Sequence, residues 1–343
     1  MRTCMKEGQP MIEMNECILH VLDTEKNLCV FAEETIPEME PEIEKLLQNK
    51  IQKAFTSNNI QHGYFKANSS IKQGIDDYLG GQCSFVELSR LIGEIIFEKK
   101  MKYGLFQPCD FICANVLIDG RRFLALLDNS YNEGITHNVR QEADRIVNEI
   151  IRHKTLFSTN IMKRDAVVLI EYSDMTIQVV ENKSEIDAEK VYFYTRLVLD
   201  CDAVPSYQES SKVLQKKCET MIDKYELDEV AILPKMKQLI KESLDSNVEI
   251  DIQEMAVELF PERRMIQDDF KQEVLEQGIK PKIQVENVKQ TKQMKVQRFK
   301  TDSGIEVIIP IECLSQKDLV EIINNPDGTI AIELKNINKI QSK

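Results

Sequence analysis

Apolar positions along this chain first alternate, then run together, and later fall into a helical period. Near the start, the β-type runs at residues 17–22 and 28–31 flank a polar turn at 23–27, which predicts a hairpin. After Pro37, Ile43, Leu46, Leu47, Ile51 and Phe55 recur at helical spacing. Ser84-Phe85-Val86-Glu87 has the form of a capping box, and Leu88, Leu91, Ile92, Ile95 and Ile96 behind it form one apolar stripe, so a helix is predicted over residues 84–101. Residues 111–118 and 123–127 flank Asp119-Gly120, a dipeptide suited to the positive φ angles of a tight hairpin turn. Both arms are apolar on both faces, which predicts central, covered strands. Another hairpin is expected at 166–172 and 176–180.

After Cys201 the period lengthens. Leu214, Cys218, Met221 and Tyr225 form one stripe, Met236, Leu239, Ile240 and Leu244 a second, and Ile252, Met255, Ala256 and Leu259 a third. An acid-rich stretch over 261–278 gives a fourth, so residues 206–278 read as helical. Strands return from Ile279, and Asn325-Pro326-Asp327-Gly328-Thr329 is a strong turn signal because proline fixes φ and glycine accepts the left-handed region. The fold class is therefore α+β: an N-terminal α+β domain over 1–200 with a mixed sheet, hairpins and helices, a helical segment over 201–278, and a β-rich C-terminal portion over 279–343.

Composition narrows the classes. With 343 residues and 42% hydrophobic content, the chain can build cores without staples. Nine scattered cysteines, an odd number, suggest a reducing compartment rather than a disulfide framework. No run is long enough for a membrane span and the first ten residues lack a signal-peptide core, so a cytoplasmic protein with no membrane partner is expected. A net charge of −13 repels nucleic acid over most of the surface. One stretch departs from this. Residues 280–300 carry Lys280, Lys282, Lys289, Lys292, Lys295, Arg298 and Lys300 against Glu286 alone, a charge of +6 that leaves −19 for the rest. Its lysines suit either phosphate contact or protection of an open sheet edge, and no aromatic or arginine cluster adds base readout.

Candidate chemistry is sparse. Residues 119–137, DGRRFLALLDNSYNEGITH, gather acids, arginines and a histidine. Asp119 is explained by its turn, Arg121 and Arg122 by solvated hairpin edges, and Asp128 by the end of a strand followed by a polar loop to His137. The second strand lacks the Glu-x-Lys of two-strand nucleases. Cys109 and Cys113 read as buried thiols, and His137 and His153 as isolated surface residues rather than zinc ligands. G-x-S-x-G, G-x-G-x-x-G and G-x-x-x-x-G-K-[ST] are all missing. No catalytic residue, metal or cofactor is expected. The helices at 239–244 and 251–260 are spaced like a helix-turn-helix, but Asp251, Glu254 and Glu258 put acid where a recognition helix would meet phosphate; a packed bundle, with Asp251 opening a capping box, fits better.

Two regions also carry a resemblance. CDFICANVLIDGRRFLALLDNSYNEGITH (109–137), with FKTDSGIEVIIP (299–310) and EIINNPDGTIAIELKNI (321–337), resembles the bacterial nucleoid-associated protein family of the NdpA type over nearly the whole chain. The resemblance implies a cytoplasmic, nucleoid-located, non-enzymatic protein with DNA association and a link to DNA topology. It supplies neither a catalytic motif nor a set of base-contacting residues. Three functions stay open. The first is largely sequence-independent DNA binding, to double-stranded DNA, through the seven cations above. The second is recruitment by a topoisomerase or another DNA-bound partner. The third is a metal-dependent nuclease or phage-defence effector using Asp110, Asp128 or Glu133. Oligomeric state is also open, a homo-oligomer included.

Overall fold

A computed structural model describes residues 10–142, 145–285, 288, 295–314 and 316–339. The chain divides into two compact units, Met1–Val204 and Pro205–Lys343. In the first, β1 (Ile12–Asp23), β2 (Leu28–Val30), α1 (Pro41–Phe55), β3 (Gln61–Phe65), α2 (Ser70–Leu79) and α3 (Phe85–Lys102) precede a hairpin of β4 (Cys109–Ile118) and β5 (Arg121–Ser130). β6 (Asn132–Glu142), β7 (Arg145–Leu156), β8 (Ala166–Glu171), β9 (Thr176–Val180), β10 (Ser184–Ile186) and β11 (Glu189–Val191) follow. A π-helical turn, Tyr194–Val198, leads into β12 (Cys201–Val204).

Eight of these strands form one antiparallel sheet in the order β12-β3-β9-β8-β5-β4-β1-β2. β4 and β5 lie near its middle, and the period-2 pleat sends alternate residues into two different cores. Phe111, Cys113, Leu124 and Leu126 join Ile71 and Ile75 of α2 and Leu88, Ile92 and Ile96 of α3. Ile112, Ala114, Phe123, Ala125 and Leu127 join Leu47, Ile51 and Ala54 of α1 on the other face. Helices on both faces explain why these strands are apolar on both sides. The turn between them holds Asp119 at φ 49° and Gly120 at φ 79°, the left-handed pair that such a turn requires. The reciprocal Ser84–Glu87 capping box opens α3.

The polar loop expected over residues 128–137 is not there. β5 continues to Ser130, and β6 and β7 pair with each other as a long two-stranded arm, from Asn132↔Leu156 to Glu142↔Arg145. β6 eluded the hydrophobic pattern because it offers only Ile135 and Val139 among polar neighbours. Those two share a face with Ile146 and Ile150 across the ladder, and all four are exposed, between 58% and 83%.

In the second unit, α4 (Tyr207–Tyr225), α5 (Glu229–Ser246), β13 (Ile250–Asp251), α6 (Ile252–Leu259), α7 (Arg264–Leu275) and β14 (Lys282–Ile283) enclose a core. It contains Leu214, Met221, Met236, Ile240, Met255, Leu259 and Phe270. Ser206, Asp228 and Asp251 cap α4, α5 and α6 with their side chains. Two hairpins follow. One pairs β15 (Val296–Lys300) with β16 (Glu306–Pro310); after the short α8 (Ile311–Leu314), the other pairs β17 (Val320–Asn324) with β18 (Ile330–Leu334). Among the described residues no helix is long and apolar enough to cross a membrane.

Candidate functional site

The basic tract is distributed over several elements rather than forming one continuous strand. Lys280 and Lys282 are exposed around β14, where Lys282 lies 3.6 Å from Glu249. Lys289 and Lys292 lie outside the described residues. Lys295 is exposed just before β15. Within β15 the pleat turns Gln297 and Phe299 inward, with Gln297 buried, and leaves Arg298 and Lys300 exposed on the opposite face. Ile308 and Glu306 are their cross-strand neighbours, and Lys300 lies 3.9 Å from Glu306 with both side chains about two-thirds exposed or more. The hairpin is tied to α5 where Lys237 donates to the Val296 carbonyl at 3.5 Å, and α8, which follows it, is tied there by Lys241 pairing with Glu312 at 2.8 Å. Partial burial, with Arg298 nearby, lowers the pKa of Lys237.

Elsewhere in this unit the charge has the opposite sign. A hollow of about 520 Å³ between α5 and α6 is lined by Glu242, Glu249, Asp251, Glu254 and Glu258. Asp251 accepts from the backbone N–H groups of Gln253 and Glu254, serving α6 as its cap. An acidic hollow beside a would-be recognition helix repels phosphate, which fits packed helices better than groove reading.

The carboxylates of residues 110–133 have separate duties. Asp119 accepts the Met11 backbone N–H at 2.8 Å, and Glu133 lies 3.4 Å from Arg152 across the exposed arm. Arg121 is not merely solvated: it pairs with Glu171 at 3.0 Å and stacks on Phe123. Burial and the neighbouring Asp128 push the Asp110 pKa up to about 6. Among the described residues no three His, Cys, Asp or Glu side chains converge as a metal group.

Asp128 does far more than end a strand. The pleat that puts Leu124 and Leu126 against α3 puts Asp128 there too, 2.5 Å from the ammonium of Lys100, with side chains only 2% and 5% exposed. The Tyr194 hydroxyl donates to the same carboxylate oxygen at 2.5 Å, and Lys100 also approaches Cys109 Sγ at 3.1 Å. Burial disfavours charge on Lys100, and the Asp128 carboxylate more than offsets it, holding the ammonium above its usual pKa. The next residue, Asn129, points to the opposite face and accepts from the buried Lys50, which also pairs with Asp165 at 2.9 Å. Asp165 in turn accepts the backbone N–H groups of Ser130 and Met162. Sequence reasoning missed both lysines. Their only signal was a cation at an inward position of an amphipathic helix, which sequence shows equally for a solvated neighbour.

A family model described as nucleoid-associated protein YejK matches residues 18–340 of this chain. The chain belongs to the YejK nucleoid-associated family. The match spans both units, so the YejK-type sheet domain and the segment bearing the basic tract are parts of one family architecture. A search of curated proteins found no match. Membership in the YejK family supports a nucleoid-associated role and bears out the likeness carried by residues 109–137, 299–310 and 321–337.

Proposed function

We propose that the chain is a non-enzymatic, nucleoid-associated protein that contacts duplex DNA through phosphates, largely without regard to sequence. Lys280, Lys282, Lys289, Lys292, Lys295, Arg298 and Lys300 carry that contact. The observation behind this reading is the outward placement of Arg298 and Lys300 on β15 within the only strongly basic stretch of an acidic chain. Phosphate contacts release counterions, so affinity should fall linearly with salt on a logarithmic plot, with a slope of about −0.9 per phosphate neutralised. A gel-shift titration over salt, on two unrelated duplexes with and without magnesium, tests this. Steep salt dependence and equal affinity support the reading; no shift at low salt overturns it.

The exposed isoleucine face of the β6–β7 arm favours a second reading, recruitment by a DNA-bound protein, a topoisomerase among them. Apolar side chains gathered on one open face are features of protein contact surfaces. Under that reading, replacing Ile135, Val139, Ile146 and Ile150 by threonine releases the protein from the nucleoid in cells without changing its gel shift.

A further inference from the structure

Lys237 of α5 is a cation to which the fold brings no counterion. Its side chain is partly buried and reaches across to β15, where the ammonium donates to the Val296 carbonyl at 3.5 Å. That bond is longer than an ordinary N–H···O contact, and a neutral carbonyl balances none of the charge. Among the described residues Lys237 forms no ion pair, whereas its neighbours on α5, Lys235 and Lys241, each pair with a carboxylate. A lysine on a helix ordinarily swings its charged end into water. This one is held beside a second cation: Arg298 lies two residues along β15 from Val296, about 7 Å in an extended strand, and is itself exposed with no ion pair among the described residues. Repulsion from Arg298 joins burial in lowering the Lys237 pKa.

The carboxylates nearby are engaged elsewhere. Glu312 and Asp245 both pair with Lys241, at 2.8 and 3.5 Å, and Glu306 lies 3.9 Å from Lys300. Glu219 of α4 faces Lys237 from beyond ion-pair distance and accepts from Gln215 at 2.9 Å. The acidic hollow opens on a different side of α5, along Leu239, Ser243 and Ser246, whereas Lys237 and Lys241 face β15 and α8. Two neighbouring cations are thus left for an anion from outside the chain.

We propose that Lys237 and Arg298 grip one backbone phosphate of DNA between them, so that α5 adds to the contact a residue from outside the basic tract. This rests on the DNA reading given above and deepens it. A phosphodiester presents two anionic oxygens, one for each cation, and charge-assisted bonds of about 2.8 Å to both span the spacing of the pair. The fold has already ordered and partly desolvated Lys237, so the phosphate gains a preorganised contact. It also relieves the repulsion between the two cations. Lys237 therefore weakens the free protein slightly and strengthens the complex.

Lys237→Met, which keeps an unbranched stem and removes the charge, tests this in the full chain. In gel shifts on a short duplex at low salt it should weaken binding about tenfold, the loss expected for a charge-assisted hydrogen bond. Its urea midpoint should match the parent's or rise, because a repelled charge has gone. Lys235→Met removes the same charge from a lysine that pairs with Glu258 at 3.6 Å, and should bind DNA like the parent. Combined with Arg298→Ala, K237M should add much less than its own loss, since both cations hold the same phosphate. A loss matched by K235M, or full additivity with R298A, overturns the proposal. So does weaker binding together with a lowered urea midpoint, which would make Lys237 a strut for the hairpin. If the parent shifts DNA and K237M shifts it equally well, this proposal alone falls; if the parent fails to shift DNA, the DNA reading falls with it.

Discussion

Lys100 and Lys300 carry the same ammonium group beside a carboxylate, but in very different surroundings. Lys100 meets Asp128 at 2.5 Å with both side chains almost wholly buried, while Lys300 meets Glu306 at 3.9 Å with side chains 71% and 67% exposed. In the first pair, removal from water makes each charge depend on the other. In the second, water and salt already screen the attraction, and the lysine can exchange its carboxylate for another anion at little cost. A lysine count therefore measures neither stability nor binding until burial is known. The buried lysines are committed to the fold of the first unit, whereas Arg298 and Lys300 stand exposed on β15, where the proposed phosphate contact uses them.

The largest expected effect comes from breaking the buried pair on one side. Lys100→Ala or Asp128→Ala should each cost about 3–5 kcal/mol in chemical denaturation, because the remaining charge is stranded. The double change Lys100→Met with Asp128→Leu should cost much less. If the double variant is as unstable as either single one, the contrast drawn above is wrong.

Next in size is a pH effect confined to the first unit. His20 is fully buried; its Nδ1 accepts the Ala32 N–H, which leaves Nε2 to donate to Ser89 Oγ at 3.0 Å. Burial, assisted by Arg90, lowers its pKa from 6.5 to about 4. The unfolded chain then binds the extra proton first, so stability is fully present above pH 6.5 and lost as pH falls toward 4. The total is about 3 kcal/mol for a shift of this size. Asp110 acts in the opposite sense: with its pKa raised to about 6, the folded state holds the proton more tightly, so stability falls as pH rises from 4 to 6. Asp110→Asn should therefore stabilise the protein at pH 7.5, with the gain disappearing as pH falls below 6. Urea midpoints measured across this range for both proteins check the two signs.

For the exposed cations, the double change Arg298→Glu with Lys300→Glu should weaken DNA binding about tenfold or more at low salt and flatten the salt slope by about two contacts. Its urea midpoint should match the parent's. Smallest of all, Glu306→Ala should leave stability unchanged and slightly strengthen DNA binding, since it removes a competing acid beside Lys300. Weaker binding in that variant would show that Glu306 orients the lysine rather than competing for it.

Much of the architecture was legible in the chain. The two-sided apolar runs around Asp119-Gly120, the Ser84 capping box and the helical stripes after Tyr207 all form as their spacing predicts, because each rests on a local rule: pleat, cap or turn. The β6–β7 arm was not legible. Its strands pair with each other and leave four apolar residues exposed, so burial did not write an alternating pattern into the sequence. The candidate DNA contact was partly visible as composition, but composition could not say that Gln297 turns inward while Arg298 and Lys300 turn out.

The period of the apolar residues, the turn dipeptides, the +6 charge of residues 280–300 and the family signature belong to the sequence, since each depends on neighbours along the chain. Which face of the sheet met which helix did not. Asp128 and Asn129 are adjacent and both polar, yet the pleat sends one to Lys100 beneath α3 and the other to Lys50 beneath α1. That outcome depends on contacts between elements distant in sequence, and only packing brings such groups close enough, in a sufficiently dry environment, for their charges to matter.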